Sequence, residues 1–354
     1  MNMAVYELQS NAIEHIYKGG KMRAEFRGEE NPTDDYRSED WIFSTNRAIT
    51  PGKDNPIDKG ISRIEDEGEK ILLTDLIETN PLLALGSEHV QKYDKQIGVL
   101  LKIFNVAEGE FLPIHWHPDD RFAKAHLDSD MGKVEAWYVM NASKDAKAWI
   151  GWNKGMYEEE IATFMERQDT EEILSEMNEV QLRPGTLLPI PSGVVHAIRG
   201  ATCILEVQQP TDFSVLINYN DFECDREEAL LQLHFETVIR SLDRRNFDQS
   251  ILQRLFNEID ASTRDRIELI PYYMVRNFGM LSMKFDGSFK KFIKSESFYC
   301  MTVMEGKGVL MSPFKKIEVE KGKSYFVPYY LRSLVVLDKK TDDFEVMITS
   351  PPKC

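Results

Sequence analysis

Several features of secreted and membrane proteins are missing from this sequence. Its 354 residues include four cysteines, Cys203, Cys224, Cys300 and Cys354, and no two of them form a C-x-x-C pair. This scatter argues against a disulfide framework and a cysteine zinc site, and it suits reduced thiols in a cytoplasm. No apolar run reaches the roughly 18 residues of a membrane span, and residues 1–20 contain no apolar signal-peptide core. We therefore expect a cytoplasmic protein with no membrane partner.

Positive charge is also scarce. The chain has 43 lysines and arginines against 59 aspartates and glutamates, which gives a formal net charge of −16. A phosphate backbone would be repelled, so a nucleic-acid partner is not expected, and anionic substrates are disfavoured unless basic residues gather locally. The length is sufficient for two or three domain-sized cores. The composition gives no indication of the oligomeric state.

Short strand-like segments dominate the middle of the chain. They are rich in β-branched and aromatic residues and are separated by Gly, Pro and Asn; they cover residues 99–104, 111–117, 134–139, 148–151, 180–182, 186–190, 195–198 and 203–208. An acidic helical segment interrupts them at residues 157–178. Many short strands at this spacing predict a sandwich or barrel.

Residues 223–269 follow a different pattern, with leucine, isoleucine and valine at helical spacings, which predicts two or more amphipathic helices. Strand-like segments return after Pro271. A Gly-x5-Pro motif begins at Gly185 and recurs at Gly322. The repeat favours a duplicated all-β unit, although unrelated strands with similar turns would also produce it.

Two histidines on one predicted strand are the first candidate site residues. His115 and His117 alternate with Trp116, so both imidazoles project from one face of the strand. Paired imidazoles are a common beginning of a metal site, although two surface histidines can also fall this way by chance. Glu135 and His196 follow downstream, the second just after a Pro-x-Gly turn.

These residues resemble the two-part cupin signature. The first part is Gly109-x5-His115-x-His117 with Glu135, and the second is Gly185-x5-Pro191-x-Gly193-x2-His196. The resemblance implies four side chains that point into a barrel and converge on one cation, with coordination positions left open for water or substrate. Two departures stand out. Seventeen residues separate His117 from Glu135, which implies an insertion, and Gly200 replaces the closing asparagine.

Longer segments are similar to type I mannose-6-phosphate isomerases. They are HPDD at 117–120, GKVEAWYV at 132–139, PSGVVHAI at 191–198, and LEVQQ at 205–209 followed by Thr211-Asp212, with N-terminal matches at Gly19-Gly20, Glu39-Asp40-Trp41, Ser44 and 72–86. The resemblance implies a mainly β fold of two cupin (jelly-roll) barrels with a helical insert. It divides the chain into an N-terminal segment with a metal-binding barrel (1–222), the insert (223–270) and a second, metal-free barrel (271–354). In that second unit the ligand histidine is absent, because Ser333 stands at its place.

The same resemblance implies metal-dependent aldose–ketose isomerisation through an enediol, of mannose 6-phosphate to fructose 6-phosphate or of a related sugar. In that family a glutamine, a histidine, a glutamate and a second histidine hold zinc. Carried over, these positions are His115, His117, Glu135 and His196, with His115 in place of the glutamine. A third imidazole suits zinc, and it equally suits iron, manganese or nickel.

Three further residues are candidates by the same resemblance, and Arg199 is a fourth only because of its position in the sequence. Glu206 is expected to carry the proton or orient a sugar hydroxyl, and Lys133 to supply positive charge to an oxyanion; the alternative is a solvent-facing lysine paired with the glutamate. Trp41 is expected to form a wall of the sugar site or, alternatively, to lie in the core. Arg199, just past His196, is a candidate for substrate binding.

Arg199 matters because a family arginine is missing. After the Gln-Gln-x-Thr-Asp motif the family has Tyr-Arg, whereas this chain has Val215 and Leu216. Leucine cannot replace a cation that binds phosphate or stabilises an enediolate. This loss and the net charge weaken mannose 6-phosphate as the substrate. A non-catalytic sugar-binding or regulatory cupin and an oxidative metal-dependent cupin stay open as alternatives.

Overall fold

The structure, a computed structural model, describes residues 3–50, 56–66, 68–222, 224–255, 257–258, 266–270, 275–285 and 290–354. Its strands are, in chain order, β1 (Tyr6–Leu8), β2 (Ala12–Ile13), β3 (Glu39–Phe43), β4 (Arg63–Asp66), β5 (Glu69–Leu72), β6 (Leu100–Val106), β7 (Phe111–Trp116), β8 (Glu135–Ala142), β9 (Lys147–Trp152), β10 (Met177–Gln181), β11 (Thr186–Ile190), β12 (His196–Arg199), β13 (Thr202–Gln208), β14 (Val215–Leu216), β15 (Asn257–Glu258), β16 (Arg266–Ile270), β17 (Gly279–Lys284), β18 (Lys290–Phe292), β19 (Tyr299–Glu305), β20 (Lys307–Met311), β21 (Lys316–Glu320), β22 (Ser324–Val327), β23 (Val336–Lys339) and β24 (Glu345–Ser350). Its α-helices are α1 (Lys21–Arg27), α2 (Leu73–Thr79), α3 (Pro81–Leu85), α4 (Ser87–Tyr93), α5 (Asp120–His126), α6 (Glu158–Arg167), α7 (Thr170–Ser175), α8 (Arg226–Ala229), α9 (Phe235–Val238) and α10 (Gln249–Leu255). The chain is mainly β, as the sequence predicts.

Two open antiparallel sheets face each other around the predicted metal motif. Within the described residues, one has five strands in the order β10-β9-β12-β7-β14, and the other has seven in the order β15-β11-β8-β13-β6-β3-β2. Phe104 and Trp137 from the larger sheet share a buried apolar cluster with Ile150 and Ile198 from the smaller one. The predicted site therefore lies between two sheets whose facing side chains form a common core.

Strand β13 shows why this part of the sequence folds as a buried strand. All seven of its residues are buried. Cys203 and Leu205 pack on one side, toward the C-terminal half of the chain, whereas Ile204 packs on the other side, between the two facing sheets. Because side chains alternate along a strand, Glu206 falls on the inner side with Ile204. A charged residue is thus directed into the interior by register alone.

A second pair of antiparallel sheets forms the C-terminal half. In the described part of the chain they have the strand orders β16-β17-β24-β19-β22-β1-β4-β5 and β18-β23-β20-β21. Met301 and Tyr325 from the larger of these sheets pack with Leu310 and Leu337 from the smaller. The larger sheets of the two pairs also share one apolar cluster, so they pack against each other.

The N-terminal segment connects the two pairs of sheets. Strand β1 pairs with β22, with Tyr6 opposite Phe326, whereas β2 pairs with β3 in the seven-stranded sheet. Arg27 holds this crossing in place. Its guanidinium contacts the Asp40 carboxylate at 2.9 Å and donates to the carbonyl of Gly322 at 2.5 Å. The side chains of Arg27 and Asp40 are both almost fully buried.

The helical predictions hold in part. The acidic segment at 157–178 contains α6 and α7. The segment predicted as helical at 223–269 contains α8, α9 and α10, none of these three longer than seven residues, but its described residues also include β15 and most of β16, which pair with β11 and β17. Leu231 and Gln232 have φ of 55° and 61°, a left-handed conformation that ends a helix. The insertion after His117 contains α5, which Asp119 caps by accepting a hydrogen bond from the Phe122 amide. None of the described helices is long and apolar enough to cross a membrane.

Candidate metal centre and cavity

Three histidines and one glutamate converge between the two facing sheets. His115 lies on β7, directly opposite His196 on the neighbouring β12, and His117 follows two residues after His115. Glu135 comes from the facing sheet, at the start of β8. The candidate ligand atoms of the three histidines all lie within 4.8 Å of one another. The four side chains predicted as metal ligands are therefore brought together, and all four are buried.

A glycine turn sets the position of His196. Gly193 has φ of 81°, and its amide donates to the carbonyl of His117 at 2.7 Å. A Cβ atom at this position would lie 2.9 Å from the carbonyl oxygen of Ser241. Only glycine accommodates both the left-handed conformation and this close approach. The turn therefore fixes where β12 begins, next to the end of β7.

Hydrogen bonds to backbone carbonyls orient the three imidazoles. Nδ1 lies 2.7 Å from the Pro113 carbonyl in His115, 2.7 Å from the Phe213 carbonyl in His117, and 2.8 Å from the Val194 carbonyl in His196. A carbonyl only accepts, so each Nδ1 carries the proton and each Nε2 presents a lone pair. This tautomer is the one that binds metals through Nε2, with the backbone carbonyl orienting the ring.

The unsatisfied atoms of this group fit a cation. His117 Nε2 lies 3.1 Å from Glu135 Oε2, and His196 Nε2 lies 3.2 Å from Glu135 Oε1. His117 Nε2, His196 Nε2 and Glu135 Oε1 nevertheless have no hydrogen-bond partner. Burial lowers the pKa of His117 to about 3, so its Nε2 has no proton to donate at neutral pH. Lone pairs and a carboxylate this close repel one another unless a cation lies between them. Three imidazole nitrogens and one carboxylate are a ligand set for zinc or a similar divalent metal.

Charged residues of alternating sign extend away from the metal group. Lys133 Nζ lies 3.2 Å from Glu135 Oε2 and 3.8 Å from Glu206 Oε1. Lys102 Nζ lies 3.6 Å from Glu206 Oε2 and 3.2 Å from both oxygens of Glu39. All five side chains are almost fully buried. Two ammonium groups therefore alternate with three carboxyl groups across the interior.

Glu39 is the most strongly held of these carboxylates. Tyr17 Oη and Trp41 Nε1 each donate to it at 2.8 Å, and Lys102 pairs with it. Burial alone would raise its pKa, but the Lys102 charge and these donors lower it to about 2. Burial also opposes the charge of Lys102, whose pKa is nevertheless raised because Glu206 and Glu39 flank it.

Glu206 behaves in the opposite way. Burial is the largest cause of its shift, and the nearby Glu135 carboxylate adds to it, so the pKa of Glu206 is raised to about 8. One of its oxygens, Oε1, is buried without a hydrogen-bond partner. A carboxyl group with a pKa near neutrality can both accept and return a proton.

A cavity of about 40 Å³ connects these groups. His115, Glu135, Lys133, Glu206, Lys102 and Glu39 all line it. A much larger groove, of about 1990 Å³, adjoins it. Five residues line both spaces and form what we call the mouth, which consists of His15, Ile16, Asp212, Ser214 and Leu216. The mouth is thus where the groove meets the small cavity lined by His115, Glu135 and both lysines.

Of the other predicted site residues, the structure places two at the cavity and two away from it. Lys133 and Glu206 lie together beside the metal group, as expected. Trp41 does not form a wall of the cavity: it donates to Glu39 and packs in an apolar cluster with Ile13 of β2, Ala48 and Leu100 of β6. Arg199 does not reach the site either. It lies at the far end of β12 from His196 and pairs with Glu171 on the surface, so it does not replace the missing arginine.

Lys102 and Glu39 are cavity residues that the sequence reasoning missed as candidates. A signal was present for Lys102, which is the one charged residue in an otherwise apolar strand-like run at 99–104. The sequence signal for Glu39 was weaker, because its role becomes visible only in the structure, where Lys102 contacts its carboxylate. Leu216 lines the mouth, and its backbone lies opposite His115 in the β7–β14 pairing.

The curated relatives of this chain are mannose-6-phosphate isomerases. The protein of this name from Bacillus subtilis, ManA, is 30% identical over 223 residues, which are 62% of this chain and 66% of the relative. The one from Streptococcus mutans is 26% identical over 225 residues, which are 62% of this chain and 61% of the relative. The matches thus span less than two thirds of the length of these two relatives. No protein-family model matches the sequence.

Solved structures show the same likeness over nearly the whole chain. The crystal structure of mannose 6-phosphate isomerase from Bacillus subtilis has a TM-score of 0.73 and 19% identity, and the match covers 98% of this chain and 99% of that one. A zinc-bound mannose 6-phosphate isomerase has a TM-score of 0.74 and 16% identity, with coverage of 99% and 100%. The fold is shared, and the curated relatives agree with it in sequence. The chain is a divergent member of the mannose-6-phosphate isomerase family.

Proposed function

We propose that this protein is a metal-dependent aldose–ketose isomerase that acts on a sugar or sugar phosphate through an enediol. The observation that carries the proposal is the position of Glu206. Its carboxyl group lies between Lys102 and Lys133, at 3.6 and 3.8 Å, in the cavity that two of the candidate metal ligands, His115 and Glu135, also line. Isomerisation needs a group that moves a proton between two adjacent carbons, next to groups that stabilise negative charge on the neighbouring oxygens.

We propose zinc as the metal. His115, His117, Glu135 and His196 would hold it through the Nε2 atoms and the carboxylate, which are the atoms that lack other partners or face the cavity. A bound zinc ion would supply Lewis-acid polarisation of the sugar carbonyl. The curated relatives carry the name of this activity, and one structural neighbour is zinc-bound.

The protein's own residues would carry out the proton transfer and stabilise the negative charge. Glu206, with a pKa raised to about 8, takes a proton from one carbon and returns it to the next. Lys133 and Lys102 hold that carboxyl group from two sides and offer ammonium protons to the negative charge that develops on the sugar oxygens. The buried position of both lysines excludes water from the reacting atoms.

We also propose that each pair of facing sheets is a cupin unit. The first would hold the metal within residues 1–222, the helical insert would be 223–270, and the second unit, 271–354, would hold no metal. Strands β1, β4 and β5 join the sheet of the second unit, so the N-terminal segment would serve both. The shared core between each pair of sheets supports this division.

The test is isomerisation in deuterated water. Zinc-loaded protein is incubated with mannose, fructose, their 6-phosphates and a panel of other aldoses and ketoses, and the products are followed by proton NMR. We expect interconversion of one aldose–ketose pair with solvent deuterium entering at C1 or C2, and no exchange with a Glu206→Gln variant. Saturable sugar binding without exchange would support a non-catalytic sugar-binding protein instead. Oxygen consumption by the iron-loaded protein would support an oxidative cupin.

A further inference from the structure

Carboxyl groups outnumber ammonium groups among the described residues that line the cavity. Of the described residues that line it, four carry carboxyl groups, Glu39, Glu135, Glu206 and Asp212, and two carry permanent positive charges. Both positive charges belong to lysines that already contact carboxylates at 3.2 Å. The charge of each ammonium group is therefore already partly offset by a neighbouring carboxylate.

The mouth offers a phosphate no permanent positive charge. None of the five residues that form it is a lysine or an arginine. Asp212 contributes a carboxyl group, which accepts a hydrogen bond from the Ile49 amide at 3.3 Å. Leu216 contributes an apolar side chain that also packs against Cys224 and Ala229. We place the non-reacting end of a sugar at this mouth, because His115, Glu135 and Glu206 line the small cavity but not the groove.

A phosphate at that end would be poorly accommodated. It would meet the Asp212 carboxyl group and the Leu216 side chain, and no residue of the mouth would offer it a charge-assisted hydrogen bond. The basic residues of the groove wall, among them Arg47 and Lys92, do not line the cavity. A sugar hydroxyl would be well accommodated, because it can donate to the Asp212 carboxyl group. The mouth therefore discriminates between the two by charge as well as by hydrogen bonding.

We propose that the site takes sugars whose non-reacting end is uncharged, and that Asp212 and Leu216 select against a terminal phosphate. This inference rests on the proposed function for the orientation of the sugar. It narrows the substrate class from sugars and sugar phosphates to unphosphorylated sugars.

The experiment measures binding separately from turnover. Zinc-loaded protein is titrated calorimetrically with mannose, fructose, mannose 6-phosphate and inorganic phosphate, and isomerisation is followed by NMR in parallel. We expect the unphosphorylated sugars to bind at least about tenfold more tightly than mannose 6-phosphate, since one close like-charge contact changes affinity by about this factor or more. Tighter binding or faster turnover of mannose 6-phosphate would overturn the inference.

Three variants test which residues set the preference for unphosphorylated sugars over mannose 6-phosphate. Leu216→Arg places a cation at the mouth and should shift the preference toward mannose 6-phosphate by about tenfold or more. Gln91→Arg is the matched control: it adds the same charge to an exposed position of the groove wall, outside the cavity, and should leave the preference unchanged. Asp212→Asn removes the carboxylate with little change of shape and should narrow the discrimination, which covers the case in which Leu216→Arg fails to fold. If the affinity ratio between the unphosphorylated sugars and mannose 6-phosphate is unchanged in a folded Leu216→Arg variant and in Asp212→Asn, the selectivity does not come from these two residues and the inference is wrong.

Binding and turnover separate this inference from the proposed function. Binding of unphosphorylated sugars without any deuterium exchange would refute the isomerase and support the selectivity of the mouth. Isomerisation that requires a phosphate would support the isomerase and refute the selectivity. Absence of binding by any of the sugars would count against both.

Discussion

Removal of the Glu39 charge should destabilise the protein and change the titration of Glu206. The substitution Glu39→Gln removes the charge and keeps one oxygen, which can accept from Tyr17 or from Trp41 but not from both, since these donate to different oxygens of Glu39. Lys102 lies 3.2 Å from both carboxylate oxygens, and both side chains are almost fully buried. The variant therefore leaves a buried ammonium group that has lost its nearest carboxylate.

The structure sets the size of the effect. Two unit charges at this separation attract by roughly 5 kcal/mol when the effective dielectric constant is about 20. Lys102 keeps a second carboxylate, Glu206, at 3.6 Å, which offsets part of the loss. We expect the free energy of unfolding at pH 7 to fall by about 3 kcal/mol, within the range for breaking a buried ion pair.

The direction in which this stability difference changes with pH follows from the lowered pKa of Glu39. The folded pKa of Glu39 is lowered to about 2 from its ordinary value near 4.5, so its contribution is fully present above pH 4.5 and is lost as the pH falls through 2. The stability difference between wild type and Glu39→Gln should therefore be constant above about pH 5 and shrink below it. Loss of the Glu39 charge also removes one cause of the raised pKa of Glu206, so the lower pH limb of activity should move to lower pH.

Urea unfolding at pH 7 and at pH 4, with a pH–activity profile, measures these effects. Asp130→Asn is the control, because its ion pair with Lys124 is exposed on both sides and should contribute nothing measurable. Equal stability of Glu39→Gln and wild type at pH 7 would refute the buried pairing of Glu39 with Lys102. A difference that grows as the pH falls below 4.5 would refute the sign of the shift.

Three further perturbations test other parts of the structure. His117→Ala should abolish stoichiometric zinc binding, measured by elemental analysis after dialysis, while the folded circular dichroism spectrum persists; retained zinc would exclude His117 as a ligand. Glu206→Gln should lower kcat by about 10² to 10⁴ in the isomerisation assay with little change in sugar affinity, since it removes proton transfer alone. Arg27→Met should lower the free energy of unfolding by about 3–5 kcal/mol, because it leaves Asp40 buried and unpaired, and the double variant with Asp40→Asn should recover part of that loss.

The metal group could be predicted from sequence because its residues are fixed by local geometry. His115 and His117 share a face through strand alternation alone, and His196 follows a glycine turn that only glycine permits. Glu135 lies 18 residues after His117, at the start of β8, across an insertion that contains helix α5. These positions are recognisable in the sequence because each follows from one strand or one turn.

The carboxylate and lysine network could not be predicted in the same way. Glu39 and Lys102 are 63 residues apart, and only the pairing of β3 with β6 brings them together. Trp41 was expected at the sugar site because aromatic residues serve both cores and sugar sites, and no sequence pattern distinguishes the two. Arg199 lies near His196 in sequence, but β12 carries the two side chains to opposite ends of the strand. Contacts that depend on the assembled sheets require the structure.

The pairing of β1 with β22 has a consequence for synthesis on the ribosome. Tyr6 leaves the ribosome early, but its principal partner strand, Ser324–Val327, is translated more than 300 residues later. Until then β1 has only the single pairing of Leu8 with Ile64, and the Arg27 guanidinium has no Gly322 carbonyl to bind. Closure of so long a loop is entropically costly and slow. The N-terminal strand should therefore be among the last elements to become protected from amide hydrogen exchange, and nascent chains that stop before residue 324 should expose it to chaperones and proteases.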